Sequence, residues 1–362
     1  MLKILDRYII KKYISTFFFT MVLITMIAIT IDFFEKVDKF LSDEMTAKEI
    51  VFDYYLNFIP WINGLLWPLF ALLAVIFFTS RMAKNSEIIA ILASGVSYRR
   101  FLLPFIVAGG FIAVLLWLGN NYVIPNSNKI KTEFESKYIR KSIIQTLSGN
   151  IHFFLNPNEK VYIRNYNSRD SVVRGFRLEK FQNGKLTSIL KAQQLKFVEA
   201  PNLWKMKGIE RRSIDGLKES LMFEPKEEID TSLNFVPEDF VRYSRQMEMM
   251  TTDDLKEFIK IEQDKGLETS KSLIIELYRR TADPFTILIV TIMGVCIGSR
   301  KVRGGMGFHL AAGVVLGAIF VILSKFSTTF SSNLSLPPAI GVWIPNIVFG
   351  FIAILLYKGA QK

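Results

Sequence analysis

Apolar residues gather into six long stretches, three on either side of a central polar segment with a different rhythm. A helix crossing a bilayer core needs about 20 mostly apolar residues, because only there does the backbone satisfy itself within one segment. Tyr13–Phe34 meets that standard with Asp32 as its one charge. Stretches within Tyr54–Ser80 and Phe101–Ile124 carry no charge at all. Pro284–Gly298 is short, so its helix is expected to begin earlier, near Leu273. Phe308–Phe330 is interrupted by Lys325, and Ala339–Tyr357 follows the Pro337-Pro338 break. The first stretch follows Lys3, Arg7, Lys11 and Lys12, as a signal peptide would. It is too long for one and no small-x-small cleavage site follows, so it reads as a retained span.

The central segment, roughly Pro125 to Asp283, alternates like strands. Val161-Tyr-Ile-Arg-Asn-Tyr, Val173-Arg-Gly-Phe-Arg-Leu and Leu195-Lys-Phe-Val repeat apolar residues at period two. Asn183-Gly184 stands between two such runs and signals a hairpin, since both residues tolerate positive φ. Pro201-Asn202 marks another turn. Several short strands at this spacing predict an antiparallel sandwich or open barrel. Thr252 is placed to cap an amphipathic helix that Gly266 ends, and a further helix from near Ser270 runs into the fourth span. The fold class is therefore membrane α-helical, with six transmembrane helices and an inserted antiparallel β domain. The expected division is 1–124 for the first three spans, 125–250 for the β domain, and 251–362 for a connecting helix and the last three spans.

Charge then sets orientation. The formal net charge is +12, which alone would suit a nucleic-acid binder. Its placement argues otherwise. With a cytoplasmic amino terminus, the inner segments carry Lys3, Arg7, Lys11 and Lys12, then Arg81, Lys84, Arg99 and Arg100, then Arg300, Lys301 and Arg303, and finally Lys358 and Lys362. The outer turn Ser331–Pro338 has no charge, although outer Glu35–Asp53 holds Lys36, Lys39 and Lys48 among a greater number of acids. This is the cytoplasmic bias of a membrane protein, and it places the β domain on the outer side. The single cysteine, Cys296, sits in an apolar run and forms no intrachain disulfide. His152 and His309 lack metal-ligand spacing. Gly304–Gly307 does not follow a strand as a phosphate loop would. No cofactor is implied, and any ATP hydrolysis is expected on another polypeptide.

The most informative inner segment is Asn85–Ser97. Ser86 is placed to cap a short helix with Glu87 in its first turn and Gly95 at its end. Ile88, Ile91 and Leu92 share one face at helical spacing. Such a helix either lies on the membrane surface or presses into a groove on a partner. This segment resembles the cytoplasmic coupling helix of the lipopolysaccharide-export permease family, the LptF/LptG type. Leu5-Asp-Arg-Tyr-Ile9 and Pro337-Pro-Ala-Ile-Gly-Val-Trp-Ile-Pro345 are similar to that family too, and the resemblance runs over nearly the whole chain, leaning to the G-type subunit. It implies the permease of an ABC-type exporter that extracts lipopolysaccharide. The ATPase would be a separate cytoplasmic protein, LptB-like and in two copies. A second related permease would pair with this one. The outer domain would be a β-jellyroll handing lipid to a bridge of LptC/LptA-like jellyrolls. Glu87, Ile88, Ile91, Leu92, Ser94 and Gly95 would couple to the ATPase.

A lipopolysaccharide carrier needs cations near the rim of an apolar cavity. Lys36, Lys39, Arg279, Arg280 and Lys325 are the candidates for lipid phosphate. Lys325 is the sharpest, because an ionisable residue inside a span usually faces a cavity or a partner. Two other readings stand for it, pairing with Asp32 or snorkelling to the interface. Arg279 and Arg280 also suit an interfacial anchor, and adjacent residues on one helix point in different directions. Phe17, Phe18, Phe19 and Phe326 are candidate cavity linings. Gly313 and Gly317 allow close helix approach, either to a partner subunit or within the chain. A membrane enzyme would need clustered carboxylates or a metal site, and neither pattern occurs. The competing reading is a membrane anchor for the β domain with no transport role.

Overall fold

The computed structural model describes residues 3–42, 45–139, 144–146, 150–167, 170–233, 235–237, 241–243, 246–264, 271–300, 305–333 and 336–360. Gly266, Lys301, Arg303 and Gly304 lie outside the described residues. The chain divides into two units, one of Met1–Phe134, Met247–Asp253 and Ser270–Lys362, the other of Glu135–Gln246 and Asp254–Thr269.

The first unit is helical. Its long helices are α1 (Ile4–Ser42), α3 (Leu56–Lys84), α5 (Tyr98–Leu118), α8 (Lys271–Gly298), α9 (Gly305–Asn333) and α10 (Pro338–Ala360). These six are long and apolar enough to cross a membrane. Shorter helices are α2 (Ala47–Glu49), closed by a Thr46–Glu49 capping box, α4 (Glu87–Ala93) and α6 (Ile124–Phe134). The fourth apolar stretch does start early, at Lys271. Helix α8 is central: 61% of its most apolar window is buried, against 11% for α1 and 17% for α9. The core joins Tyr13 and Phe17 of α1 with Phe70 and Val75 of α3, Phe101 and Phe105 of α5, and Val290 of α8.

Lipid tails are as apolar as leucine, so these helices associate through close packing and polar contacts rather than through hydrophobic segregation. Both devices are present. A Cβ on Gly313 would stand 2.6 Å from Ile76 Cδ1, and one on Gly317 would stand 2.9 Å from Leu69 Cδ1. These two glycines therefore seat α9 against α3 of the same chain. Polar links are also buried: Tyr13 and Thr291 hydroxyls meet at 2.9 Å, Thr25 donates to Asn63 at 2.6 Å, and Thr286 donates to Asn346 at 2.7 Å.

The second unit holds the β domain, an open six-stranded antiparallel meander. Its strands are β2 (Ile151–Asn156), β3 (Glu159–Asn167), β4 (Val172–Gln182), β5 (Lys185–Glu199), β6 (Leu203–Asp215) and β7 (Lys218–Ser232), paired in chain order. A separate pair joins β1 (Ile144–Thr146) to β8 (Val241–Tyr243). Asn183 and Gly184 take φ of 49° and 75° at the tip of the β4–β5 hairpin, as their residue types predicted. One sheet face carries the core, with Val161, Ile163, Val173, Phe176, Leu195 and Trp204 among its buried members. Trp204 Nε1 donates to the Phe235 carbonyl at 3.0 Å. Strand β7 contains Pro225, which an edge position tolerates because no neighbour there needs its missing N–H. Helix α7 spans Thr252–Asp264.

Candidate functional site

A cavity of about 120 Å3 opens among α3, α8, α9 and α10. Its apolar wall includes Leu69, Leu72, Met293, Phe320 and Phe349. Its polar wall combines Arg279 and Asp283 of α8 with Ser324, Lys325 and Thr328 of α9. Gly64 and Pro68 of α3 also line it, and Pro68 withholds the helical N–H that the Gly64 carbonyl would otherwise receive. Arg279 Nε lies 3.4 Å from Asp283 Oδ2, and Arg279 Nη1 lies 3.7 Å from Glu276 Oε2. The cavity therefore has a cationic, hydrogen-bonding end and an aliphatic and aromatic end. That is the shape of an amphiphile.

The other candidate cations do not join it. Arg280 is 4% exposed and points away. Its guanidinium donates to the Met247 and Met250 carbonyls at 2.9 and 2.8 Å, to Thr252 Oγ1 at 3.0 Å and to Glu276 at 3.4 Å. A guanidinium so enclosed clamps the Met247–Asp253 segment to α8 and has no face left for a lipid. Thr252 was expected to cap α7. Its hydroxyl instead bonds Asn121 and Arg280, a long-range partnership that local sequence does not encode. Lys36 is buried, donates to Asp32 at 2.6 Å and bonds the Tyr54 hydroxyl, which itself donates to Asp32 at 2.9 Å. Asp32 is thus the partner of Lys36, four residues along the same helix. Lys39 is exposed. Phe17 is fully buried in the core, while Phe18, Phe19 and Phe326 are exposed. Among the described residues no group of three or more His, Cys, Asp or Glu is placed to hold a metal ion.

The α4 region is the second site. Ser86 takes a left-handed φ of 59° and its side chain makes no cap bond. Asn85 Nδ2 instead donates to Glu87 Oε1 at 3.0 Å, which steadies the carboxylate at the helix start. Gly95 ends the helix at φ 87°. Ile88 is 2% exposed, and Ile91 and Leu92 pack against the same core, so these three hold α4 to the bundle. The surface offered outward comes from Ile89, Ala90, Ala93, Ser94 and Gly95, with Glu87 half-buried at its edge. Hydrophobic spacing identified the apolar face correctly, but that face is turned inward. Just beyond, Ser97 Oγ accepts from the Arg100 N–H, and the Arg100 guanidinium grips Asp6 with two bonds of 2.8 and 2.6 Å.

The model of the family described as "Lipopolysaccharide export system permease LptF/LptG" matches residues 7–359. The chain belongs to the LptF/LptG permease family. Over 356 residues it is 19% identical to the lipopolysaccharide export system permease protein LptG of Escherichia coli K12, covering 98% of this chain and 97% of that one. The same figures hold for LptG of a second E. coli strain. An uncharacterized protein of Aquifex aeolicus is 25% identical over 194 residues, about half of each chain. Six apolar helices in an LptF/LptG permease make this a multi-pass inner-membrane protein.

Two residues of these sites were missed in the sequence. In the sequence Asp283 only marks the end of the polar segment, yet it lies four residues after Arg279 and so on the same helix face. Asp6 was part of a matched motif without a role. Its partner is 94 positions away, and no local signal could have paired them.

Proposed function

We propose that this chain is the transmembrane permease subunit of an ABC-type exporter. It extracts lipopolysaccharide from the inner membrane and passes it to a periplasmic bridge towards the outer membrane. The observation that carries the reading is the cavity within an LptF/LptG bundle, with Arg279 and Lys325 at one end and Leu72, Met293 and Phe320 at the other. Phosphates suit the first end and acyl chains the second. Burial in a low-dielectric wall strengthens each charge contact.

Both termini are cytoplasmic in this scheme and the β domain is periplasmic, as the Lys and Arg distribution indicates. Residues 1–124 supply three spans and the coupling helix, 125–250 the domain that meets LptC/LptA-like bridge proteins, and 251–362 the remaining spans. The outward surface of α4, with Glu87, Ser94 and Gly95, docks on an LptB-like ATPase, of which two copies serve a pair of related permeases. Ile88, Ile91 and Leu92 transmit the motion inward. The subunit itself does no chemistry, and ATP hydrolysis belongs to the separate ATPase.

Purification from the native cell envelope in mild detergent tests this. A separate ATPase, a second six-span permease and bound lipopolysaccharide should be recovered together, and Glu87→Ala should lower ATPase recovery or coupling while the chain still folds. A well-folded preparation that brings down no ATPase would refute the reading and favour a membrane anchor for the β domain.

A further inference from the structure

Arg279 is the cavity cation whose partners are defined, and both are carboxylates. The two are not equivalent. Glu276 also meets Arg280 at 3.4 Å, and Arg280 is pinned by two backbone carbonyls, so Glu276 belongs to the buried clamp. Asp283 lines the cavity itself, and Arg279 is the cation it meets among the described residues. Its side chain is 29% exposed and that of Arg279 is 35% exposed, so neither is sealed in place. Across the cavity, Lys325 and Ser324 supply further donors from α9, while the Thr328 hydroxyl already donates to the Ser324 carbonyl at 2.9 Å.

We propose that Asp283 is an intramolecular stand-in for a lipid phosphate, holding Arg279 while the cavity is empty and yielding when a phosphorylated lipid enters. This rests on the reading of Arg279 and Lys325 as phosphate contacts. A guanidinium fork accepts a carboxylate or a phosphate in the same geometry. A phosphate offers more oxygens and more charge, and Arg279 and Lys325 line the same cavity. The carboxylate is tethered one helical turn away, so its return is a local event. Asp283 shares the neutralisation of Arg279 with Glu276, and a lipid that displaces it binds more weakly by that exchange. A carrier must release what it binds, and Asp283 supplies the competitor that makes release easy.

The test uses the full chain with its associated subunits in phosphatidylcholine nanodiscs. It is titrated with bis-phosphorylated lipid A and, separately, with lipid A stripped of its phosphates. Asp283→Asn should tighten binding of the bis-phosphorylated lipid by about fivefold, the upper range for a partly exposed ion pair. Asp283→Ser should shift it the same way, Asp283→Glu should stay near wild type, and the stripped lipid should bind all forms alike. Arg279→Gln and Lys325→Gln should weaken the bis-phosphorylated lipid. If they do so while Asp283→Asn and Asp283→Ser bind no tighter than wild type, the stand-in is refuted and the phosphate site survives. If Arg279→Gln and Lys325→Gln bind as wild type, the phosphate reading falls and the stand-in falls with it.

Discussion

Arg280→Ala removes a buried guanidinium that now serves four acceptors. Two are carbonyls of Met247 and Met250, one is the Thr252 hydroxyl, and one is Glu276. Breaking a buried ion pair by deleting one partner typically destabilises by about 3–5 kcal/mol, because the remaining polar groups stay buried without partners. Glu276 keeps Arg279 at 3.7 Å, so its carboxylate is not fully orphaned. That places the expected loss near the bottom of the range, about 3 kcal/mol. Arg280→Lys keeps the charge but replaces the planar fork with one ammonium, which reaches fewer acceptors, so it should lose roughly half as much. Equilibrium unfolding of the purified chain in mixed detergent micelles measures both. Amide exchange in Met247–Thr252 should quicken in the same order. A loss for Arg280→Ala no larger than that of an ordinary surface substitution, about 0.5 kcal/mol, would refute the clamp.

Gly313→Leu drives a side chain into Ile76 and should destabilise the bundle by about 1–3 kcal/mol, as overpacking does. A Cβ on Gly307 of the same helix meets nothing within 4 Å among the described residues, so Gly307→Ala should unfold with wild type in the same micelles. In the β domain, Trp204→Phe deletes the donor to the buried Phe235 carbonyl, with an expected loss of about 1–3 kcal/mol in thermal unfolding. Glu159 and Lys180 sit opposite each other on β3 and β4 at 2.8 Å, and the Lys180 ammonium holds the Glu159 carboxyl below its ordinary pKa. The depressed value means the pair stabilises the fold above the unfolded-state pKa and ceases to do so as pH falls through the folded one. Glu159→Gln should therefore lower the melting temperature slightly at neutral pH. The difference from wild type should vanish in acid, and a difference that grows on acidification would contradict this sign.

The six helices and the strand rhythm were legible because each is a local property. Twenty apolar residues in a row announce a span wherever it packs, and alternation announces a half-buried strand whatever its neighbours. Asn183-Gly184 marked its hairpin for the same reason, since positive φ is a property of those two residues alone. Strand β7 gave no such signal. Pro225 suits an edge strand, where one side of the backbone stays outside the ladder.

Pattern could place Ile88, Ile91 and Leu92 on one face of α4, but the face turns inward because the core supplied by other helices is there to receive it. The same limit governs the charges. Arg279 and Arg280 are adjacent in the chain and about 100° apart around the helix, following from 3.6 residues per turn. One lines the cavity beside Asp283, and the other clamps a segment some thirty positions earlier. Composition and periodicity thus settle which segments span and which pair as strands. Partners distant in sequence settle what each charge does, because an ion inside an apolar bundle takes its role from the nearest group that can neutralise or solvate it.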